Sequence, residues 1–263
     1  MQLCSWFFLF LALPVITTAE EIETEAEKEN PEFSFSVSSD IKNRYIDPAG
    51  WVFSSPVVGT TLAVEWKSFY FEIFHLTGIN DHEWDEIDWS LGYLGESNLF
   101  QTEKKFNWEI GLSVYDPKDF FKNETGENFL DVFAKVGVPF APEGCPLGSV
   151  FTPYVKVEVL TPFDKMEEVG GGTYIWLGLE HSAELGEYCS LNQDLAVLFD
   201  SGVYGGDTGQ LMRYTGQLSW PVGEVVSINF PIVEFVIPLS HFSEERDGRG
   251  NEIALGMGIS LVF

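Results

Sequence analysis

Charged side chains, most of them acidic, recur at alternate positions in several stretches of this sequence. Glu86 and Asp88 are separated by one isoleucine, and Lys156 and Glu158 by one valine. Residues two apart share a face of a β-strand, because successive side chains point to opposite sides of the sheet. A face that collects carboxylates attracts cations and repels anions when it lines a confined space. The chemistry of these acids therefore depends on the strands that carry them.

Twelve runs of alternating apolar and small or polar residues follow residue 32, with turn residues between them. Most have about the 9–11 residues that a tilted strand needs to cross a bilayer. Helical periodicity is not convincing here, and Pro231 in the eleventh run predicts a β-bulge. The pattern predicts an all-β chain, a transmembrane antiparallel β-barrel of about 12 strands over residues 33–263. The runs are 33–42, 57–66, 68–77, 84–94, 106–115, 128–139, 149–161, 172–183, 190–200, 210–220, 224–237 and 251–263.

The final run shows the alternation most clearly. Ile253, Leu255, Met257 and Ile259 share one face, and the residues between them are small or polar. A soluble barrel or sandwich would have the mirror arrangement, with the apolar face inside. The apolar face continues to Phe263 at the chain end, which favours a lipid-facing surface.

The predicted lipid-facing side of this run leads to expectations for the effects of substitutions in it. Arginine at Leu255 or Ile259 is expected to disrupt assembly, because a charge near the bilayer midplane costs about 2–4 kcal/mol. Serine at Gly256 is expected to be milder, because that position faces the interior.

Residues 1–19 predict a secretory signal peptide. The apolar run from Trp6 to Leu13 is too short for a transmembrane helix, which needs about 20 residues, and Thr17, Thr18 and Ala19 offer small residues at the cleavage positions. No Lys or Arg precedes the run, and an uncleaved anchor is the alternative. Residues 20–32 contain seven Glu and one Lys and predict an acidic, disordered periplasmic tail.

The inward face of the predicted barrel is acidic. The chain carries a formal net charge of −27, which argues against nucleic acid or anionic lipid as partners. An excess of carboxylates along a pore predicts a preference for cations. The alternative is that the acids form a closed, hydrogen-bonded plug. The charged residues predicted to face inward are Glu65, Glu72, Glu86, Asp88, Glu109, Asp131, Lys135, Lys156, Glu158, Glu180, Asp194, Arg213, Glu234 and Glu252.

Cys145 and Cys189 follow the predicted signal peptide, and both fall in connections on the predicted periplasmic side. A disulfide persists in that oxidising compartment, but two strands separate the connections and a bridge needs Cα atoms within about 7 Å. A disulfide and two unpaired thiols therefore both remain open. No Cys pair has zinc-finger spacing, and no metal or other cofactor is expected.

Catalysis is the rival class of function, because some outer-membrane barrels hydrolyse lipids or peptides. His181 and Ser182 are adjacent in sequence, which directs the two side chains to opposite faces of a strand. That is a poor geometry for a base and its nucleophile. We therefore expect no enzymatic activity.

The first part of the barrel resembles the outer-membrane porins of the TorF family. The resemblance lies in the polar alternating strand from Phe33 to Asp40, in Arg44, in the aromatic strand pair that follows and in the acidic stretch Trp84 to Gly95, with the closing strand in addition. It covers roughly residues 33–95 plus the last run, and Ile41 replaces the aromatic residue usual in the family. The resemblance implies an outer-membrane, pore-forming barrel and carries over no catalytic or substrate-binding residue.

The sequence as a whole predicts a small passive channel in the outer membrane, with the lipid bilayer and small hydrophilic solutes or cations as partners. An outer-membrane enzyme, a closed structural or adhesion barrel and a soluble exported β-protein are the alternatives.

Overall fold

A closed β-barrel accounts for most of the ordered secondary structure. The computed structural model of the chain describes residues 33–47, 50, 52–53, 56–79, 85–99, 104–117, 129–142, 144–145, 148–162, 170–203, 208–240 and 250–263. The predicted signal peptide and acidic tail lie outside these residues. No helix long and apolar enough to cross a membrane occurs in the described part of the chain.

Twelve strands form the barrel, and two short strands form a separate hairpin. Each barrel strand pairs antiparallel with its neighbours along the chain. The hairpin consists of β2 (Tyr45–Ile46) and β3 (Val52–Phe53). The predicted all-β class and the count of twelve strands are confirmed. The barrel strands are β1 (Phe33–Lys42), β4 (Val57–Trp66), β5 (Phe69–Gly78), β6 (Asp85–Asn98), β7 (Lys105–Pro117), β8 (Phe129–Gly137), β9 (Val150–Pro162), β10 (Gly172–Glu184), β11 (Ser190–Asp200), β12 (Gly209–Pro221), β13 (Val226–Pro238) and β14 (Glu252–Val262).

The first and last barrel strands close the sheet. β1 pairs with β14 on one side and with β4 on the other. The backbone of Phe263 bonds to that of Phe35 in both directions, at 2.9 and 3.2 Å, and their rings stack with centroids 6.1 Å apart. We call this end of the barrel the terminal end and the opposite end the loop end. Closure removes the exposed strand edges that would otherwise recruit other chains.

The apolar face of each strand points outward. On β14, Leu255 and Ile259 are 53 and 46% exposed, whereas Ala254, which precedes Leu255, is fully buried. The mirror arrangement of a soluble barrel is therefore wrong. Gly256 does face inward, but a Cβ there would lie 2.6 Å from the backbone oxygen of Ile41, so serine at this position would force a local shift, and its milder effect relative to arginine on the outer face stays a prediction.

Local features of the strands fit their sequences. Trp66 and Phe69 flank the tight turn at Lys67, which has a positive φ of 57°, and Phe69 contacts Tyr93 at 4.8 Å between ring centroids. Aromatic rings at a barrel rim are typical of a membrane–water interface. The pairing of β13 shifts register around Pro231, because proline has no N–H to donate to the ladder. The predicted bulge is therefore present.

Candidate functional site: the lumen of the barrel

The strand register directs all the charged residues predicted to face inward to the side of the sheet opposite the exposed apolar belt. Glu72 is paired with Ala63 and Ser90, and Glu158 with Phe133 and Tyr174, all on the inner face. The inner face thus gathers charges from strands that are far apart in sequence. The residues concerned are Glu65, Glu72, Glu86, Asp88, Glu109, Asp131, Lys135, Lys156, Glu158, Glu180, Asp194, Arg213, Glu234 and Glu252.

Two further bases, Lys42 and Arg44, reach the lumen and are absent from the predicted inward set. Lys42 ends β1 on the same face as Asp40, and Arg44 follows it in the chain. Lys42 follows Asp40 by two residues, so the alternation within β1 could have revealed that its side chain faces inward. Arg44 lies outside any regular run. Among the described residues, the five lumenal bases away from the rim all form ion pairs: Lys42 with Asp40 and Glu234, Arg44 with Glu252, Lys135 with Glu180, Lys156 with Glu158, and Arg213 with Glu234.

The bases are unevenly distributed around the lumen. Lys105, which pairs with Glu96 at 2.7 Å at the terminal rim, is the only Lys or Arg in the four neighbouring strands β4–β7. Apart from Glu96, which is paired with Lys105, five inward acids lie on those strands, and they define what we call the acidic wall: Glu65, Glu72, Glu86, Asp88 and Glu109. The lumen therefore has one wall of unbalanced negative charge and, opposite it, walls where acids and bases alternate.

A recurring Tyr–Gly–acid arrangement positions two of the carboxylates. The Tyr70 ring on β5 lies over Gly92 on β6, and its hydroxyl donates to Glu109 on β7 at 2.5 Å. The same arrangement recurs four strands later. Tyr154 on β9 lies over Gly178 on β10 and donates to Asp194 on β11 at 3.1 Å. In each case glycine provides the space that lets a tyrosine reach a carboxylate two strands away.

Alanine at Gly178 is expected to destabilise the barrel, because its Cβ would overlap the Tyr154 ring. Moving the ring would break its hydrogen bond to Asp194 and its contact with the Lys135 ammonium group, 4.6 Å from the ring centroid. Overpacking of this kind costs about 1–3 kcal/mol. Thermal unfolding in detergent, followed by heat-modifiable gel migration, measures the loss.

Gly223 provides the matched control for this substitution. It lies in the turn between β12 and β13, and a Cβ there meets nothing within 4 Å. Gly223→Ala should leave the unfolding temperature unchanged. Equal effects of the two substitutions would contradict a packing role for Gly178.

An apolar cluster lies among the charged residues in the loop-end half of the lumen, and no predicted inward residue pointed to it. Inward residues of β8–β14 form a buried cluster there, and Trp176 also donates its indole N–H to Glu158. Runs such as Leu195 to Phe199, apolar on both faces, were the available signal. The cluster contains Ile46, Phe129, Tyr154, Leu160, Tyr174, Trp176, Ala196, Leu198, Val203, Leu211, Val236 and Ala254.

Ile46 brings the β2–β3 hairpin into this cluster. Its side chain is 0% exposed, although it belongs to the connection between β1 and β4. The hairpin base is fixed to β14, because the Asn43 N–H donates to the Leu255 carbonyl at 2.9 Å and the Asn43 side chain accepts from the Leu255 N–H at 2.8 Å. Arg44 adds its ion pair with Glu252. The described part of this connection therefore folds inward.

Tyr45 extends the hairpin across the lumen. Its ring stacks on Phe74 of β5 at 6.4 Å between centroids. Burial, followed by the nearby carboxylates Glu86, Asp47 and Asp88, raises the pKa of Tyr45 well above its usual value, while Arg213 lowers it. Glu86 is on β6 and Arg213 on β12, which are opposite each other in the twelve-strand ring. A neutral tyrosine thus occupies the space between the two walls.

The cysteines and the His–Ser pair are not brought into catalytic or covalent arrangements. Cys145 and Cys189 are free thiols in the structure, with Cys189 buried, so the disulfide stays a prediction. His181 points outward, stacks on Phe151 at 4.4 Å and hydrogen bonds Gln193 at 3.0 Å. Ser182 lies on the inner face, as its pairing with Val150 requires. The two side chains are on opposite faces, as predicted.

Comparison with known proteins identifies the fold. No protein-family model and no curated protein matches the sequence. Among solved structures, a KdgM porin in complex with disordered oligogalacturonate has a TM-score of 0.52 at 8% identity, over 88% of this chain and 99% of that chain. A NanC porin has a TM-score of 0.51 at 8% identity, over 86 and 98%. The chain therefore has the barrel fold of outer-membrane porins, and the resemblance to the TorF family in particular stays a prediction.

Proposed function

We propose that this protein is a small outer-membrane channel that lets hydrophilic solutes diffuse through its lumen and prefers cations. The exposed apolar belt and the porin-like fold support insertion in a lipid bilayer. The predicted signal peptide supports export to the outer membrane. No catalytic arrangement carries a competing function among the described residues. A passive channel needs only a polar path through the barrel, which the charged inner face supplies.

The acidic wall is the observation that carries the preference for cations. All five lumenal bases are already in ion pairs with acids elsewhere in the lumen, so they contribute little positive potential to this wall. Confined carboxylates focus a negative potential that concentrates cations and excludes anions. The KdgM porin was solved with oligogalacturonate, a polyanion. The acidic wall would repel such a solute, so we propose that the solute class of this chain differs.

Reversal potentials across a potassium chloride gradient test this proposal. We expect the potential to shift towards the equilibrium potential of potassium at low salt. The shift should shrink near 1 M salt, where the screening length falls to about 3 Å. Combined Glu72→Gln and Glu109→Gln substitutions should reduce the shift, because they remove two charges from the acidic wall.

Glu187→Gln is the control for the loss of a charge, because Glu187 is exposed in the turn between β10 and β11. It should leave the reversal potential unchanged. A reversal potential of the anion-selective sign would overturn the proposed preference.

A closed barrel is the second candidate, and the β2–β3 hairpin is the observation that favours it. Ile46 and Tyr45 occupy the lumen at its loop end, where Ile46 packs in the apolar cluster and the Tyr45 ring stacks on Phe74. A protein that conducts only after the hairpin moves would show little current in its resting state. Single-channel recordings of the wild-type protein separate this candidate from an open channel.

A further inference from the structure

A cavity in the terminal half of the lumen is separate from the acidic wall and from the hairpin cluster. It has a volume of about 390 Å³ and is lined by residues of β9–β13. Pockets that hold small molecules begin at about 300 Å³. Its inward-facing lining includes Thr152, Glu180, Asn192, Asp194 and Thr215. The cavity is thus large enough for a small solute and rich in hydrogen-bonding groups.

Asp194 is the most distinctive group of the lining. One carboxylate oxygen, Oδ2, accepts from the Tyr154 hydroxyl at 3.1 Å, and the other, Oδ1, is buried and has no hydrogen-bond partner among the described residues. Leaving a buried acceptor unsatisfied costs free energy. Glu109 accepts a hydrogen bond from Tyr70 in the same way, but it does not line the cavity. A ligand that donates a hydrogen bond to Oδ1 would relieve the cost at Asp194, and because this oxygen is buried the carboxylate must turn towards the cavity for the contact to form.

The charge of the cavity determines which kind of hydrogen-bond donor on a ligand fits it best. Glu180 is paired with Lys135, but no Lys or Arg in the described part of the chain forms an ion pair with Asp194 within 4.0 Å. One negative charge is therefore left without a close counter-ion. Hydrogen bonds between a charged donor and a carboxylate are about twice as strong as neutral ones. An ammonium group satisfies both the unpaired oxygen and the uncompensated charge, whereas a hydroxyl group satisfies only the first.

The uncharged groups of the lining complete the site. The side chains of Thr152, Asn192 and Thr215 make no hydrogen bond to another described residue, so they are available to a ligand. We propose that this cavity is a binding site for a small organic cation, with the ammonium group against Asp194 and polar atoms of the ligand against the threonine and asparagine side chains. The inference deepens the proposed function, since it assigns a solute class and a binding site to the lumen.

Three four-carbon probes of equal length test the charge preference: 1,4-diaminobutane, 1,4-butanediol and the dianion of butanedioic acid. Isothermal titration calorimetry on the detergent-solubilised full chain measures binding of each at low salt. We expect saturable binding of the diamine and none of the diol or the dianion over the same concentrations. Calorimetry needs no conductance, so failure here is distinguishable from failure of the proposed channel function.

Asp194→Asn tests the position of the site. The amide keeps an acceptor for the Tyr154 hydroxyl and removes the charge, so we expect the diamine affinity to fall at least about tenfold. Asn192→Ala should weaken binding less, and Glu187→Gln, in the exposed turn, should not change it. Heat-modifiable migration of each variant shows that it is folded.

Three results would overturn the proposal: equal binding of the diol and the diamine, wild-type affinity in Asp194→Asn, or no diamine binding by the folded wild-type protein. The comparison of probes on the wild-type protein holds even if a variant fails to fold.

Discussion

An arginine at Ile259 is expected to prevent the chain from assembling into a stable membrane-inserted barrel. Ile259 lies within β14, faces outward and is 46% exposed in the isolated barrel. A guanidinium group there would face hydrocarbon, at a cost of about 2–4 kcal/mol near the bilayer midplane. That is a large part of a total stability of about 5–15 kcal/mol. The fraction of protein that refolds into lipid vesicles, read from heat-modifiable migration on a gel, measures the effect.

Ser38→Arg is the matched control for this substitution. Ser38 lies on the neighbouring strand β1 at nearly the same height, because Ser39 pairs with Ile259 and Ser38 with Ser260. Its side chain faces the acidic lumen, where an added positive charge has carboxylates nearby. We expect this variant to refold close to the wild-type yield. Equal yields for the two arginine variants would contradict the assignment of the faces.

Aspartate at Ile46 is expected to release the β2–β3 hairpin from the lumen and to raise the single-channel conductance several-fold. Ile46 is fully buried in the loop-end cluster among Trp176, Leu198 and Leu211. An ionised carboxylate cannot be buried there without a partner, and the effective cost of such burial is several kcal/mol. Moving the hairpin into solvent avoids that cost. Planar-bilayer recordings of the variant beside the wild-type protein measure the change.

Leu239→Asp controls for the introduction of a charge at the loop end. Leu239 lies beyond the loop-end terminus of β13 and is 52% exposed, so aspartate at this position lies at the rim of the barrel and outside the buried cluster. Its conductance should match that of the wild-type protein. If Ile46→Asp, while still folded, also conducts like the wild type, the hairpin does not set the aperture of the lumen.

The strands and their facing were predictable because alternation is a local property. In β14, Ile253 to Ile259 reveal their outward face by a period of two alone. The same reasoning gave the inward carboxylates, such as Glu158 and Glu252, from neighbours two residues away. A membrane barrel makes the pattern unusually clear, because lipid on one side and polar groups on the other demand opposite residue types at successive positions.

The contents of the lumen were less predictable, because they depend on strands that meet only after closure. Lys42 pairs with Glu234, 192 positions later in the chain, and Arg44 with Glu252, 208 positions later. The Tyr–Gly–acid arrangement spans three strands, so no single run shows it. Predicting it would require the register of each pair as well as the phase of each strand.

The sequence by itself determined a twelve-strand barrel with an apolar exterior and an acidic interior, because the residues of each strand alternate between types suited to lipid and types suited to the lumen. The tertiary structure alone decided that the β2–β3 hairpin folds into the lumen, that the lumenal bases are paired away from the acidic wall, and that Asp194 faces a cavity with one oxygen unsatisfied. Those features arise from side chains that meet across the lumen, and the distances between them are fixed only when β1 pairs with β14.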